Sequence, residues 1–136
     1  MRFVTPQTDT LTLETGDTLI VRRRLNVGEA RESFAACSTL IKNAETDTWE
    51  RVPDPLLIGR ARAAAFLVAW HAVDGDAPAL EGLDLAGKLA VLDNLEPDDF
   101  YLIRAAIDAH EARQAAARLE EKKRPIGEMP ALAISS

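Results

Sequence analysis

Two histidines, one cysteine and a few closely spaced carboxylates are the side chains here with the means for acid-base, nucleophilic or metal chemistry. His71 and His110 both lie on segments rich in apolar residues, where a histidine hydrogen-bonded into the packing is the usual case. Neither belongs to a metal-ligand spacing such as His-Glu-x-x-His. Cys37 has no second cysteine for a disulfide or zinc site. Its helical spacing from Ala30 and Phe34 reads as a small buried hydrophobe, not a nucleophile. Asp74-Gly75-Asp76 opens like a calcium loop, but Pro78 stands where the third acidic ligand belongs. Asp98 and Asp99 are adjacent, so at a helix start they point apart and complement the helix dipole instead of working as an acid-base pair. The seven glycines are scattered singly and form no phosphate-binding loop. These residues predict no catalytic, cofactor or metal site, and a protein that works by binding another protein.

Residues suited to binding are easier to find. Arg22-Arg23-Arg24 is the one basic cluster. If it closes a strand, Arg22 and Arg24 share a face that can meet an acidic partner, and Arg23 takes the other. Trp49 and Trp70 read as packing or interface residues; Trp70, beside Phe66 and Leu67, is core, or a partner anchor where it reaches the surface. Residues 111–124 are mostly Ala, Arg, Gln, Glu and Lys, with Leu119 the only large apolar side chain. A helix there runs past the core into solvent and offers Arg113, Arg118 and Leu119 as a docking surface. The expected partner-binding set is therefore Arg22, Arg24, Phe66, Trp70, Arg113, Arg118 and Leu119.

The elements that position these residues follow from pattern and punctuation. Thr10-Leu11-Thr12-Leu13 alternates, Glu14-Thr15-Gly16-Asp17 is a turn, and Thr18-Leu19-Ile20-Val21-Arg22 resumes a β-rich run, with Phe3 and Val4 as a candidate third strand. Asn26 and Glu29 resemble a capping box opening a helix over residues 27–38, with Ala30, Phe34 and Cys37 as its apolar stripe. A second hairpin is expected within residues 40–53. Asp54-Pro55 starts a helix over residues 56–73 that is apolar on nearly every face and therefore buried. Asp84 caps a short helix at 85–93, and Pro97 opens the last, in which Phe100, Ile103, Ile107 and His110 recur at helical spacing.

Composition bounds the class. A chain of 136 residues suits one domain, here 1–124, with 125–136 as a flexible tail. The fold class predicted is α+β: a small N-terminal antiparallel hairpin sheet packed on three to four helices, the last of them long. A net charge of −6 argues against nucleic acid as a partner. The acidity concentrates between positions 74 and 96, where Asp74, Asp76, Glu81, Asp84, Asp93 and Glu96 face Lys88 alone. The longest apolar run, residues 63–70, is well short of the ~18 residues of a membrane span. The first residues lack the apolar core and cleavage site of a secretion signal, so a cytoplasmic location is expected.

One further pattern spans positions 11 to 123. A β-rich start ends in Arg22-Arg23-Arg24-Leu25, an apolar helix ends at Trp70, and an Asp74-Gly75 loop follows. Then come Leu92-x-x-Leu95-x-Pro97-x-x-Phe100-x-x-Ile103-x-x-x-Ile107-x-x-His110 and Glu120-Glu121-Lys122-Lys123. This layout resembles the tail assembly chaperones of long-tailed phages and prophages, except that His71-Ala72-Val73 replaces the acidic turn pictured after the tryptophan. The resemblance implies a non-enzymatic chaperone in the host cytoplasm that binds and solubilises the tape measure protein and recruits the tail tube protein. It transfers no individual site residue and leaves homo-oligomer formation open. The alternative from a different class is a structural virion component, a minor tail or neck protein.

Overall fold

The alternating threonines and leucines near the amino terminus form the expected hairpin. In the computed structural model, which describes residues 2–123, β1 (Thr8–Thr12) pairs antiparallel with β2 (Thr18–Arg22). Gly16 lies in the turn at a φ of 93°, which glycine adopts without a steric penalty. Asp9 stands opposite Val21 and Leu11 opposite Leu19, so these four share the face that meets the core. Phe3 and Val4 add no strand. Helix α1 (Val27–Ala36) opens on the capping box: Asn26 Oδ1 accepts from the Glu29 amide at 2.8 Å, and Glu29 Oε1 accepts from the Asn26 amide at 3.0 Å. Its inward face differs from the expected stripe. Ser33 and Cys37 are buried, whereas Ala30 and Phe34 face solvent. Strands β3 (Ser38–Asn43) and β4 (Thr48–Pro53) form the second hairpin as a separate two-stranded sheet.

Helix α2 (Pro55–Phe66) starts at the proline but stops seven residues before the expected end at 73. The chain passes without a turn into β5 (Leu67–His71), which completes a three-stranded sheet in the order β1-β2-β5. A register shift lies between Ile20 and Val21: Val21 pairs with Leu67, and Ile20 with Ala69. Val68 is the extra residue of this bulge. The bulge reverses the alternation, so Leu67 and Trp70 both join Val21 and Leu19 on the core face. Leu67 and Trp70 are three apart, the spacing of a helix face, and this is why the segment reads as helix from sequence.

An abrupt helix-to-strand change leaves carbonyls without helical donors. One cation meets the helix end and a second the bulged start of β5. Arg22 Nε donates to the Ala65 carbonyl at 3.2 Å, and Lys88 Nζ donates to that of Leu67. Arg22 also pairs with Glu29 at 2.7 Å. At the far end of β5, Asp17 accepts from Trp70 Nε1 at 3.1 Å and from the Val73 amide at 3.0 Å.

The remaining helices close the core. Asp84 caps α3 (Leu85–Asp93), accepting from the Gly87 amide at 2.8 Å. Helix α4 (Pro97–Lys123) buries Ile103, Ile107 and His110 against Leu19, Val21, Phe66 and Leu67. Residues 125–136, expected as a tail, lie outside the described residues. The fold is α+β, with a small antiparallel sheet, a second hairpin and four helices, the last of them long.

Burial pushes the Lys88 ammonium below its ordinary pKa, and nearby Arg22 adds to this while Glu29 opposes it. Between the lowered folded value and the unfolded value of about 10.4, the unfolded chain binds more protons, so stability rises with pH in that window. Chemical denaturation from about pH 8 to about pH 10 is expected to show a rising contribution in the wild type that Lys88→Met removes; equal slopes for the two proteins would contradict it.

Candidate functional site

The seven residues expected to bind a partner do not form one patch. Phe66 is a core residue, 4% exposed, with its ring edge-on to His110 at 5.9 Å. It cannot anchor a partner, because the helix and sheet enclose it. Trp70 is half-buried against the same core with its indole N–H already bonded to Asp17. Arg22 is used internally at the helix-to-strand change. Arg23 is held by Asp9, at 3.1 Å and 2.8 Å from Nε and Nη2, and by Gln7. The Arg23 hydrogen bonds hold the Asp9 carboxyl below its usual pKa, against the opposing effect of desolvation. Of the three consecutive arginines, Arg24 alone points to solvent without an ion pair among the described residues.

Arg24 and Arg118, far apart in sequence, meet. They line one cleft of about 650 Å³ between the amino-terminal segment and the end of α4. Arg2 and Lys122 add two more cations, Phe3 and Val4 an apolar wall, and Glu121 a single carboxylate. Arg113 and Leu119 are exposed further along α4, with Leu119 53% accessible.

Two surfaces escape a sequence reading centred on charge. On α4, Tyr101, Ala105, Ala109, Ala112, Ala116 and Leu119 recur at intervals of three and four and are all exposed. They lie on the side opposite Ile103, Ile107 and His110, where a surface helix ordinarily carries charges. The signal was present in the sequence as a second helical stripe starting at Tyr101, hidden because five of its six members are alanine or lie beyond the core motif. The other surface is the β3–β4 hairpin. Leu40, Ile41 and Trp49 are 56%, 52% and 66% exposed there, and among the described residues neither strand has another neighbour in a sheet. Register places Leu40 and Trp49 on one face with Lys42 and Arg51, and Ile41 on the other with Glu50.

The residues with chemical potential are dispersed. His71 is exposed at the end of β5, a correction to its expected packing role. His110 is 2% exposed, and its Nε2–H donates to the Arg22 carbonyl at 3.1 Å, the hydrogen-bonded packing histidine that the sequence suggests. Cys37 is buried and donates through Sγ to the Phe34 carbonyl. Among the described residues no group of three or more His, Cys, Asp or Glu side chains is placed to hold a metal ion, and no helix is long and apolar enough to cross a membrane. Comparison with protein-family models, curated proteins and solved structures finds no match to this chain.

Placement separates interior from surface aromatics in a measurable way. Phe66→Ala is expected to cost about 3–5 kcal/mol in urea denaturation, whereas Trp49→Ser is expected to stay within about 0.5 kcal/mol. A large loss for Trp49→Ser would show that the hairpin face is covered.

Proposed function

We propose that this chain is a tail assembly chaperone of a long-tailed phage or prophage. It works in the host cytoplasm without catalysis, binding the tape measure protein, keeping it soluble and promoting assembly of tail tube protein around it. The observation that carries the reading is the uncharged, solvent-facing line of α4 from Tyr101 to Leu119. It extends over roughly 27 Å at the usual helical rise. Alanine lets a second helix approach closely, and an apolar residue at each end supplies contact area, so the line suits an amphipathic helix laid alongside. A tape measure protein, as the resemblance pictures it, is a long helical chain with apolar faces to cover. The exposed apolar residues of the β3–β4 hairpin supply further area of the same character.

The inner face of α4 is fixed by Ile103, Ile107 and His110, so the outer face can be altered without disturbing the core. Co-expression with the tape measure protein of the same locus is expected to leave that protein in the soluble fraction and to co-purify it. Ala109→Glu combined with Ala112→Glu is expected to fold normally, since glutamate is a good helix former, but to leave the tape measure protein insoluble. Full activity of this double variant would contradict the use of the α4 line. Failure of the wild type to bind, with the chain recovered in purified particles, would overturn the chaperone reading.

A further inference from the structure

We propose that the cleft between the amino-terminal segment and the end of α4 is a second binding site, for an acidic protein segment bearing an aliphatic or aromatic side chain. The case rests on where the protein leaves its cations unpaired. Most of the described basic side chains are engaged: Arg22 with Glu29, Arg23 with Asp9, Lys42 with Asp47, Arg60 with Asp93, Arg62 with Glu111 and Arg104 with Asp108. Lys88 and Arg51 donate to backbone carbonyls. Six other described basic side chains have no ion pair among the described residues; Arg2, Arg24, Arg118 and Lys122 line this one cleft, with Glu121 as the only carboxylate lining it, and Arg31 and Arg113 lie outside it.

In a chain of net charge −6, four converging cations do not arise from an overall basic surface. They repel one another across the cleft, and an incoming carboxylate relieves that repulsion while steering its own approach. Phe3, 92% exposed, and Val4 beside it give the wall an apolar contact that a bare anion would not use. A smaller cleft of about 240 Å³ shares Val4 and Arg24 and runs on past Pro6 and Thr8 to Glu29, whose carboxylate is paired with Arg22, so the site extends along the amino-terminal segment as an elongated ligand requires. The overall negative charge disfavours a nucleic-acid occupant, whose phosphates the acidic remainder of the surface repels. The site adjoins the Leu119 end of the uncharged line of α4 but shares no residue with it, and it does not depend on the chaperone reading.

The test uses a fluorescein-labelled synthetic peptide alternating glutamate with leucine and phenylalanine, titrated with the full chain and followed by anisotropy. Saturable binding that weakens with salt is expected. Arg24→Glu and Arg118→Glu are each expected to lower affinity by roughly tenfold or more. Arg31→Glu, an identical charge change on α1 away from the cleft, should alter it by less than about twofold. Circular dichroism checks that each variant is folded; if Arg118→Glu is not, Arg24→Glu, whose side chain is exposed, decides. Equal loss in all three variants would overturn the site in favour of general charge attraction. Tighter binding of a labelled oligothymidine than of the peptide would overturn it in favour of nucleic acid. Concentration-dependent self-association that the peptide reverses and Arg24→Glu abolishes would overturn a separate partner in favour of the acidic 74–96 segment of a second copy. Peptide binding with no rescue of the tape measure protein would leave this site standing and remove the chaperone reading.

Discussion

The change from helix to strand between Phe66 and Leu67 is the constraint on which the rest of the structure depends. At that point the carbonyls of Ala65 and Leu67 are taken by Arg22 and Lys88, and the chain turns from the buried helix α2 into the third strand of the sheet. A helix end enclosed by protein must find such donors, because an unsatisfied buried carbonyl costs on the order of 1–3 kcal/mol. Arg22 also offers its own carbonyl to His110. One residue thus joins the end of β2, the C-terminus of α2 and the middle of α4. With Ile103, Ile107 and His110 held against this junction, the rotation of α4 is set, and its opposite face can only look outward.

That geometry divides the surface into regions of different character. The outer line of α4 is uncharged, the segment from 74 to 96 carries most of the net negative charge, and four of the unpaired cations gather where the amino terminus meets the end of α4. Lys88, the only cation within the acidic segment, points inward to Leu67, so the segment presents an even more acidic surface than its sequence implies. Arg60 is bound to Asp93 at 2.6 Å and 2.7 Å, and this holds the Asp93 carboxyl below its usual pKa. Surface pairs of this kind add little stability, yet they remove charges from the set available to partners.

Much of the architecture was legible because it is local. The Gly16 turn, the Asn26–Glu29 capping box, the Asp84 cap and the proline starts of α2 and α4 are each written in a few neighbouring residues, and the structure contains all of them. Strand β5 was not legible. Ala-rich sequence favours helix up to Phe66, and no glycine or proline marks the break. The bulge at Val68 then gives Leu67 and Trp70 the spacing of a helix face. What overrides local preference is pairing with β2 and capture of two carbonyls by distant cations, and neither leaves a local signature. The candidate sites divide the same way. Arg24 and Arg118 are individually visible as basic residues, but only the fold brings them together, and it withdraws Phe66 into the core and half-buries Trp70 against it.

The most direct measurement is the pattern of backbone NMR chemical shifts from position 55 to 73, with contacts between Ile20 and Ala69. Helical shifts ending at Phe66, extended shifts from Leu67 to His71 and an Ile20–Ala69 cross-strand contact are the expected result. Helical shifts running unbroken to Val73 would contradict the junction, and with it the orientation of α4 and both surfaces that depend on it.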